Sequence, residues 1–165
     1  MASGCLPTVF QAVEIDGVPH WDGGYMGNPA LFPLFDDKTI DDILLVQINP
    51  LERQQTPRTA RDIHDRLNEI CFNATLLREL RAVAFVTRLI EEGKLSPDEH
   101  KNVHLHRIDT SGVLDDHAAS SKGKAEWDYF VELRNAGRQT AHSWLKDHYE
   151  AIGVRGTLDL QSASL

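Results

Sequence analysis

Two short segments of the chain, one continuously apolar and one mixed, are typical of β-strands. Residues 43–48 read Ile-Leu-Leu-Val-Gln-Ile, and the run is continuous rather than alternating. This pattern predicts a strand buried on both faces, as in a parallel sheet. Residues 103–108 predict another strand, on which His104 and His106 share one face because side chains alternate along a strand.

Two long segments carry apolar residues at steps of three and four, which predicts amphipathic helices. The first begins at Thr56-Pro57 or at Thr59, with Asp62 in a capping-box position, and it is closed by Gly93. The charged residues between its apolar positions, among them Glu69, are interpreted as a solvated face. The second helix begins near Glu126, and Gly137 is its weakest point. The expected core positions are Ile63, Leu67, Ile70, Ala74, Leu77, Leu80 and Ala84 in the first helix, and Trp127, Phe130, Val131, Ala141, Trp144, Leu145 and His148 in the second.

Near the N-terminus, a β-hairpin is predicted to lead into an Asp-Gly-Gly turn. Residues 13–21 read as a strand, an Asp-Gly turn of type I′ and a return strand. Gly23 and Gly24 then shape a tight turn, which presents the Asp22 carboxylate at the end of a strand. Catalytic carboxylates are often presented on such loops. The alternative is that Asp22 only bonds its own backbone in an Asx-turn.

The connecting segments predict turns and loops. Asn28 and Pro29 suit the N-cap and first turn of a short helix, and the large apolar residues after them predict core beside the Asp-Gly-Gly turn. Residues 110–123 are small and polar, which predicts a loop that is either a lid or a plain connector. An acidic cluster matches no calcium-loop spacing and is interpreted as a solvated turn; its members are Asp36, Asp37, Asp41 and Asp42.

The order of these elements favours an α/β fold with a mainly parallel sheet, because strands and helices alternate. The length of 165 residues suits one domain, with residues 153–165 as a C-terminal tail. A net charge of −8 argues against a nucleic-acid partner, which needs a basic surface. No apolar run reaches the ~20 residues of a membrane span. Cys5 and Cys71 indicate small buried side chains in a reducing cytoplasm.

Six ordered motifs together resemble the C-terminal half of patatin-like phospholipases, and the later ones resemble bacterial members of that family. The resemblance runs from Ala2 to about residue 160. The motifs are Ala-Ser-Gly-Cys-Leu-Pro at 2–7, Val-Glu-Ile-Asp-Gly at 13–17, Trp-Asp-Gly-Gly-Tyr at 21–25, Asn-Pro-Ala-Leu at 28–31, Val-Gln-Ile-Asn-Pro at 46–50 and Arg-Leu-Asn-Glu-Ile-Cys-Phe-Asn at 66–73.

The resemblance implies hydrolysis of carboxylic esters in lipids by a Ser–Asp dyad, with no cofactor. Asp22 matches the family's acidic residue, and Gly23 and Gly24 match the glycines that shape its turn. The nucleophile's G-x-S-x-G elbow and the Gly-rich oxyanion loop are absent from this sequence. We therefore expect residues 1–165 to be part of a three-layer α/β/α domain that is inactive alone. Its incomplete sheet would leave an unpaired edge and favour self-association. We expect a cytoplasmic protein with at most peripheral membrane contact.

Two other functions remain open from the residues. His104, His106 and Asp109 form an H-x-H motif with a nearby carboxylate, which is a partial zinc-ligand set for a metal-dependent hydrolase. The competing interpretation places both histidines on the polar face of a strand near the sheet edge. A non-catalytic binding or regulatory module is the other alternative, because the nucleophile is missing.

Overall fold

The computed structural model describes residues 2–7, 9–35, 39–53, 55–110 and 124–160, which form a mixture of helix and strand. The loop predicted at 110–123 lies almost entirely outside these residues, as do Asp36 and Asp37. The strands are β1 (Val13–Ile15), β2 (Val18–His20), β3 (Asp42–Gln47) and β4 (His104–Asp109), and the α-helices are α1 (Phe32–Phe35), α2 (Ala60–Glu91) and α3 (Trp127–His148). Short 3₁₀ turns cover Ala2–Gly4, Gly23–Tyr25 and Tyr149–Ala151.

The predicted hairpin is confirmed. β1 pairs antiparallel with β2, with Ile15 opposite Val18. Asp16 and Gly17 have φ values of 51° and 77°. Positive φ at both central residues is the mark of a type I′ turn, which Asp-Gly tolerates well.

β3 and β4 pair in parallel, as the sequence predicts, with Ile43 opposite Leu105 and Val46 opposite Ile108. The prediction that β3 is buried on both faces is wrong. Ile43 and Leu45 are buried, whereas Leu44 is 45% exposed. The continuous apolar run therefore places side chains on both faces of the sheet, but only one of these faces is covered at this strand.

The two long helices contact opposite faces of this sheet. On the face of Leu45 and Leu105, the core is completed by Leu76 and Leu80 of α2. On the other face His106 meets Trp144 of α3, with ring centroids 5.7 Å apart and planes nearly perpendicular. Opposite faces follow because neighbouring residues on a strand point in opposite directions.

The start of α2 is confirmed, but of its predicted core positions only Leu80 is among the buried residues, so most of the predicted core face is wrong. Thr59 and Asp62 form the capping box, and Gly93 follows the end of the helix with a φ of 68°. Ile63 and Leu67 are each more than half exposed. The helix has apolar residues on more than one side, and its buried face begins with polar residues. The apolar pattern in the sequence therefore does not identify the face that contacts the sheet. The buried positions are Glu69, Asn73, Leu76, Leu80 and Val83.

α3 packs on the sheet through its C-terminal part rather than along an apolar face that runs the length of the helix. Among its residues, only Trp144 is buried, and Trp127 is 76% exposed. The segment after α3, predicted to be a tail, packs on β4. The backbone N–H groups of Thr157 and Leu158 both donate to Leu105 O, at 3.0 and 2.9 Å.

The helix predicted to start at Asn28-Pro29 is wrong, because the chain turns there and α1 begins later, at Phe32. Pro33 lies in its first turn, where a proline costs no helical hydrogen bond. Leu31, just before the helix, is 1% exposed and belongs to the core. No helix among the described residues is long and apolar enough to cross a membrane.

Candidate functional site

Asp22 caps the 3₁₀ turn that follows the hairpin. Its Oδ1 accepts a hydrogen bond from the backbone N–H of Gly24 at 2.8 Å, and its own N–H donates to Cys5 O at 2.9 Å. This is the Asx-type bond that the sequence offers as the alternative interpretation. The side chain is partly buried, and the described residues place no hydrogen bond on Oδ2. One oxygen is thus anchored and the other is free for another partner.

The two glycines of the turn differ in what surrounds them. A Cβ on Gly24 would lie 2.6 Å from Cε1 of Phe72 and 3.1 Å from Oδ1 of Asp22. A Cβ on Gly23 would meet nothing within 4 Å. The second glycine therefore permits the close approach of the turn to α2, whereas the first is not sterically required.

α2 supports the turn through side chains on a face separate from the one that covers the sheet. The rings of Tyr25 and Phe72 lie 5.0 Å apart, and Tyr25 Oη donates to Asn68 Oδ1 at 3.4 Å. Further along, the Asn28 backbone N–H donates to Thr75 Oγ1 at 3.0 Å. These contacts fix the Asp-Gly-Gly turn to a rigid helix.

The turn lies near the carboxyl end of β3. Phe72, which touches Gly24, is followed in α2 by Asn73, whose Nδ2 donates to Pro50 O at 2.9 Å. Pro50 comes three residues after the last residue of β3. The Asp-Gly-Gly turn and the segment that leaves β3 therefore contact neighbouring residues of α2. In α/β folds, ligands bind outside the carboxyl ends of the strands.

A buried ion pair at the same end of the sheet was not predicted from the sequence. Glu69 is 4% exposed and pairs with Arg53 at 2.7 Å and with Arg66 at 3.1 Å. Burial raises the pKa of Glu69, but the hydrogen bonds from the two guanidinium groups outweigh it and hold that pKa below its ordinary value. Arg66 also donates to Leu51 O at 2.8 Å. The group ties the chain after β3 to α2.

A second polar cluster forms at the amino end of the sheet, around Asp42. Its Oδ1 accepts from His106 Nε2 at 2.8 Å and from the Gly153 N–H at 3.0 Å. His106 is 1% exposed, and its Nδ1 lies 3.0 Å from Thr157 Oγ1. Burial raises the pKa of Asp42, but these hydrogen bonds outweigh it and lower the pKa below its ordinary value.

The cluster corrects two expectations. Asp42 does not lie in a solvated turn, and His106 does not lie on a polar face, because α3 and the segment after it cover that side. The zinc-ligand set is not assembled either. Asp109 points to the opposite face from both histidines and pairs with Arg107 at 3.5 Å. In the described part of the chain, no group of three His, Cys, Asp or Glu side chains is arranged to hold a metal.

For the site residues that were not predicted, the sequence contained only weak indications of their burial, or none. Glu69 and Asn73 begin a stripe with steps of four and three that continues into Leu76, so the inner face starts with polar groups. For Asp42 and His106 there was no local signal, because 64 residues separate the partners.

Comparisons of the chain with protein-family models, with curated proteins and with solved structures find no match.

Proposed function

We propose that this chain is the C-terminal part of a patatin-like lipid acyl hydrolase, in which Asp22 is the acidic member of a Ser–Asp dyad. One observation carries the proposal. The Asp22 carboxylate sits on a rigidly supported turn near the carboxyl end of the parallel strands, with Oδ1 anchored by Gly24 and Oδ2 without a described hydrogen bond. The motifs of the resemblance supply the reaction class.

The chemistry requires a serine that this sequence does not carry in a G-x-S-x-G elbow. Asp22 Oδ2 would accept the proton of the serine hydroxyl while the serine oxygen attacks the ester carbonyl. The proton would then pass to the leaving alcohol, and water would release the acid from the acyl-enzyme. The Gly24 hydrogen bond would hold the carboxylate in the orientation that both proton transfers need.

The arrangement of layers supports the proposed three-layer α/β/α domain. The β3–β4 sheet has α2 against one face and Trp144 of α3 against the other. In such a domain, further parallel strands would extend the sheet and carry the nucleophile. A two-stranded sheet is too small to form that active site by itself.

Exposed apolar side chains beside the acid favour a lipid ester as the substrate. Trp21 is 49% exposed and Phe10 58% exposed, and the Trp21 indole N–H donates to Phe10 O at 3.2 Å. Aromatic side chains with one polar end suit the boundary between water and an acyl chain. The proposed setting is a cytoplasmic enzyme that meets lipid at a surface without spanning the bilayer.

The coding sequence upstream of Met1 tests this proposal. We expect an open frame that continues into a G-x-S-x-G motif, and a protein expressed from that frame to hydrolyse a nitrophenyl ester and to be labelled by a fluorophosphonate. The 165-residue chain alone should do neither. Hydrolysis by the isolated chain that is lost in Asp22→Asn, or an upstream frame with no such serine, would overturn the proposal.

A further inference from the structure

The segment that leads into β3 crosses the same face of the sheet as α2. Leu31 of this segment is 1% exposed and packs in one core cluster with Leu45 of β3 and Leu76 of α2. Phe35 and Ile40, from the same segment, pack against that cluster. The described part of the connection into β3 and the connection out of β3 therefore share one side of the sheet.

This shared side determines where a strand that precedes β3 can lie. A connection between two parallel strands of one sheet is right-handed in about 98% of cases, and α2 makes such a connection from β3 to β4. Two right-handed connections on the same face step across the sheet in the same direction. A parallel strand that enters β3 through the segment before it therefore lies on the side of β3 away from β4.

The backbone groups on that side of β3 are open. The C=O of Asp41 accepts from the His104 N–H at 2.8 Å, so the odd-numbered residues of β3 direct their backbone groups toward β4. The N–H and C=O groups of Leu44 and Val46 point the other way. Among the described residues, no hydrogen bond reaches these groups.

The two edges of the sheet differ in the space beside them. On the outer side of β4, Leu105 O accepts from the N–H groups of Thr157 and Leu158. Beside β3 lies a groove with a volume of about 350 Å³, lined in part by residues 28–31 and 43–49. The chain covers the edge of β4 itself, and the edge of β3 has room for a further strand.

The sequence of β3 is also that of an interior strand. Residues 43–48 contain no charged residue and no proline, which are the residues that protect an exposed edge from pairing. A continuous apolar run is instead typical of a strand inside a parallel sheet.

We propose that the outer edge of β3 receives, in parallel, the last sheet strand of the polypeptide upstream of residue 1. The inference rests on the proposed function, which requires such an upstream part, and it specifies where that part joins the sheet. The N–H and C=O groups of Leu44 and Val46 form the evenly spaced bonds of a parallel pair with the added strand. β3 is then an interior strand, and β4 remains the covered edge.

Amide hydrogen exchange in the longer protein tests this pairing within one strand. The amides of Ile43 and Leu45 are bonded to β4 and serve as the internal reference, whereas those of Leu44 and Val46 need the added strand. At neutral pH we expect all four to exchange at rates within about 10-fold of one another. Exchange at Leu44 and Val46 about 100-fold faster than at the reference amides would contradict the proposal.

The identity of the added strand is read from backbone NOEs of the same amides. NOEs from Leu44 and Val46 to residues upstream of Met1, in the pattern of a parallel pair and unchanged on dilution, support the proposal. NOEs to residues 1–165, or protection that is lost on dilution because a second copy supplied it, would overturn it.

Ester hydrolysis by the same sample separates this inference from the proposed function. An active protein with fast exchange at Leu44 would contradict the pairing and leave the function standing. An inactive protein with the upstream strand on β3 would contradict the function and leave the pairing standing. An absent upstream frame would overturn both.

Discussion

Asp42 Oδ1 lies 2.8 Å from His106 Nε2, although 64 residues separate the two in sequence. The same oxygen accepts the N–H of Gly153, so one carboxylate joins β3, β4 and the segment after α3. It links the sheet to the part of the chain that covers its second face.

Replacing Asp42 by Ala should lower the free energy of unfolding by about 1–3 kcal/mol, because the buried His106 and the Gly153 N–H lose their acceptor. Urea unfolding followed by circular dichroism measures the change. Asp41→Ala is the matched control, since Asp41 is exposed and contributes only its backbone carbonyl to the sheet. Equal stability of the two variants would mean that the cluster does not stabilise the fold.

The loss of stability at acidic pH should depend on the carboxylates of Asp42 and Glu69. Each has a folded-state pKa below its ordinary value, so each contributes stability above its unfolded pKa of about 4 and loses it as the pH falls through the folded pKa. We expect the free energy of unfolding to fall as the pH is lowered from 5 toward 3, and Asp42→Ala and Glu69→Gln each to reduce this slope. An unchanged slope in either variant would contradict the assignment for that residue.

Glu69→Gln should cost about 3 kcal/mol, because it removes the buried carboxylate that pairs with both Arg53 and Arg66. Chemical denaturation provides the measurement. Glu91→Gln, an exposed site in the last turn of the same helix, should change stability by less than about 0.5 kcal/mol. A cost at Glu69 no larger than at Glu91 would show that the ion pair is dispensable.

The two glycines of the Asp22 turn should respond differently to alanine. Gly24→Ala places a Cβ 2.6 Å from the Phe72 ring and should destabilise the chain by about 1–3 kcal/mol. Gly23→Ala meets nothing within 4 Å and should be close to neutral. Thermal unfolding of the pair measures the difference. Similar melting temperatures would mean that the turn does not pack on α2 as described.

Features set by a few adjacent residues could be predicted from the sequence, and features set by distant partners could not. The type I′ turn at Asp16-Gly17 and the Thr59 capping box are fixed by local backbone chemistry. The core face of α2 was misassigned, because α2 has 32 residues and is apolar on several sides. Its own sequence does not determine which of these sides contacts the sheet. The partners of Asp42 are fixed only by how β3, β4 and α3 pack together.

The same distinction between local and distant determinants applies to the candidate site. The Asp22 turn and its position after the hairpin follow from residues 13–24, since the glycines and the hairpin turn are local signals. Its support by Phe72 and Asn68 depends on α2, which begins well after the turn. The separation of Asp109 from the two histidines follows from strand alternation alone and could have been predicted.

The most direct test of the proposed function is the effect of Asp22→Asn on ester hydrolysis by the proposed longer protein that would carry the serine. Asp16→Asn is the matched control, because it makes the same change in the hairpin turn, where Asn also tolerates positive φ. We predict that Asp22→Asn lowers kcat/KM by about 10²–10⁴-fold, as expected for loss of a general base, with unchanged thermal stability, and that Asp16→Asn leaves kcat/KM unchanged. Full activity in Asp22→Asn would contradict the account.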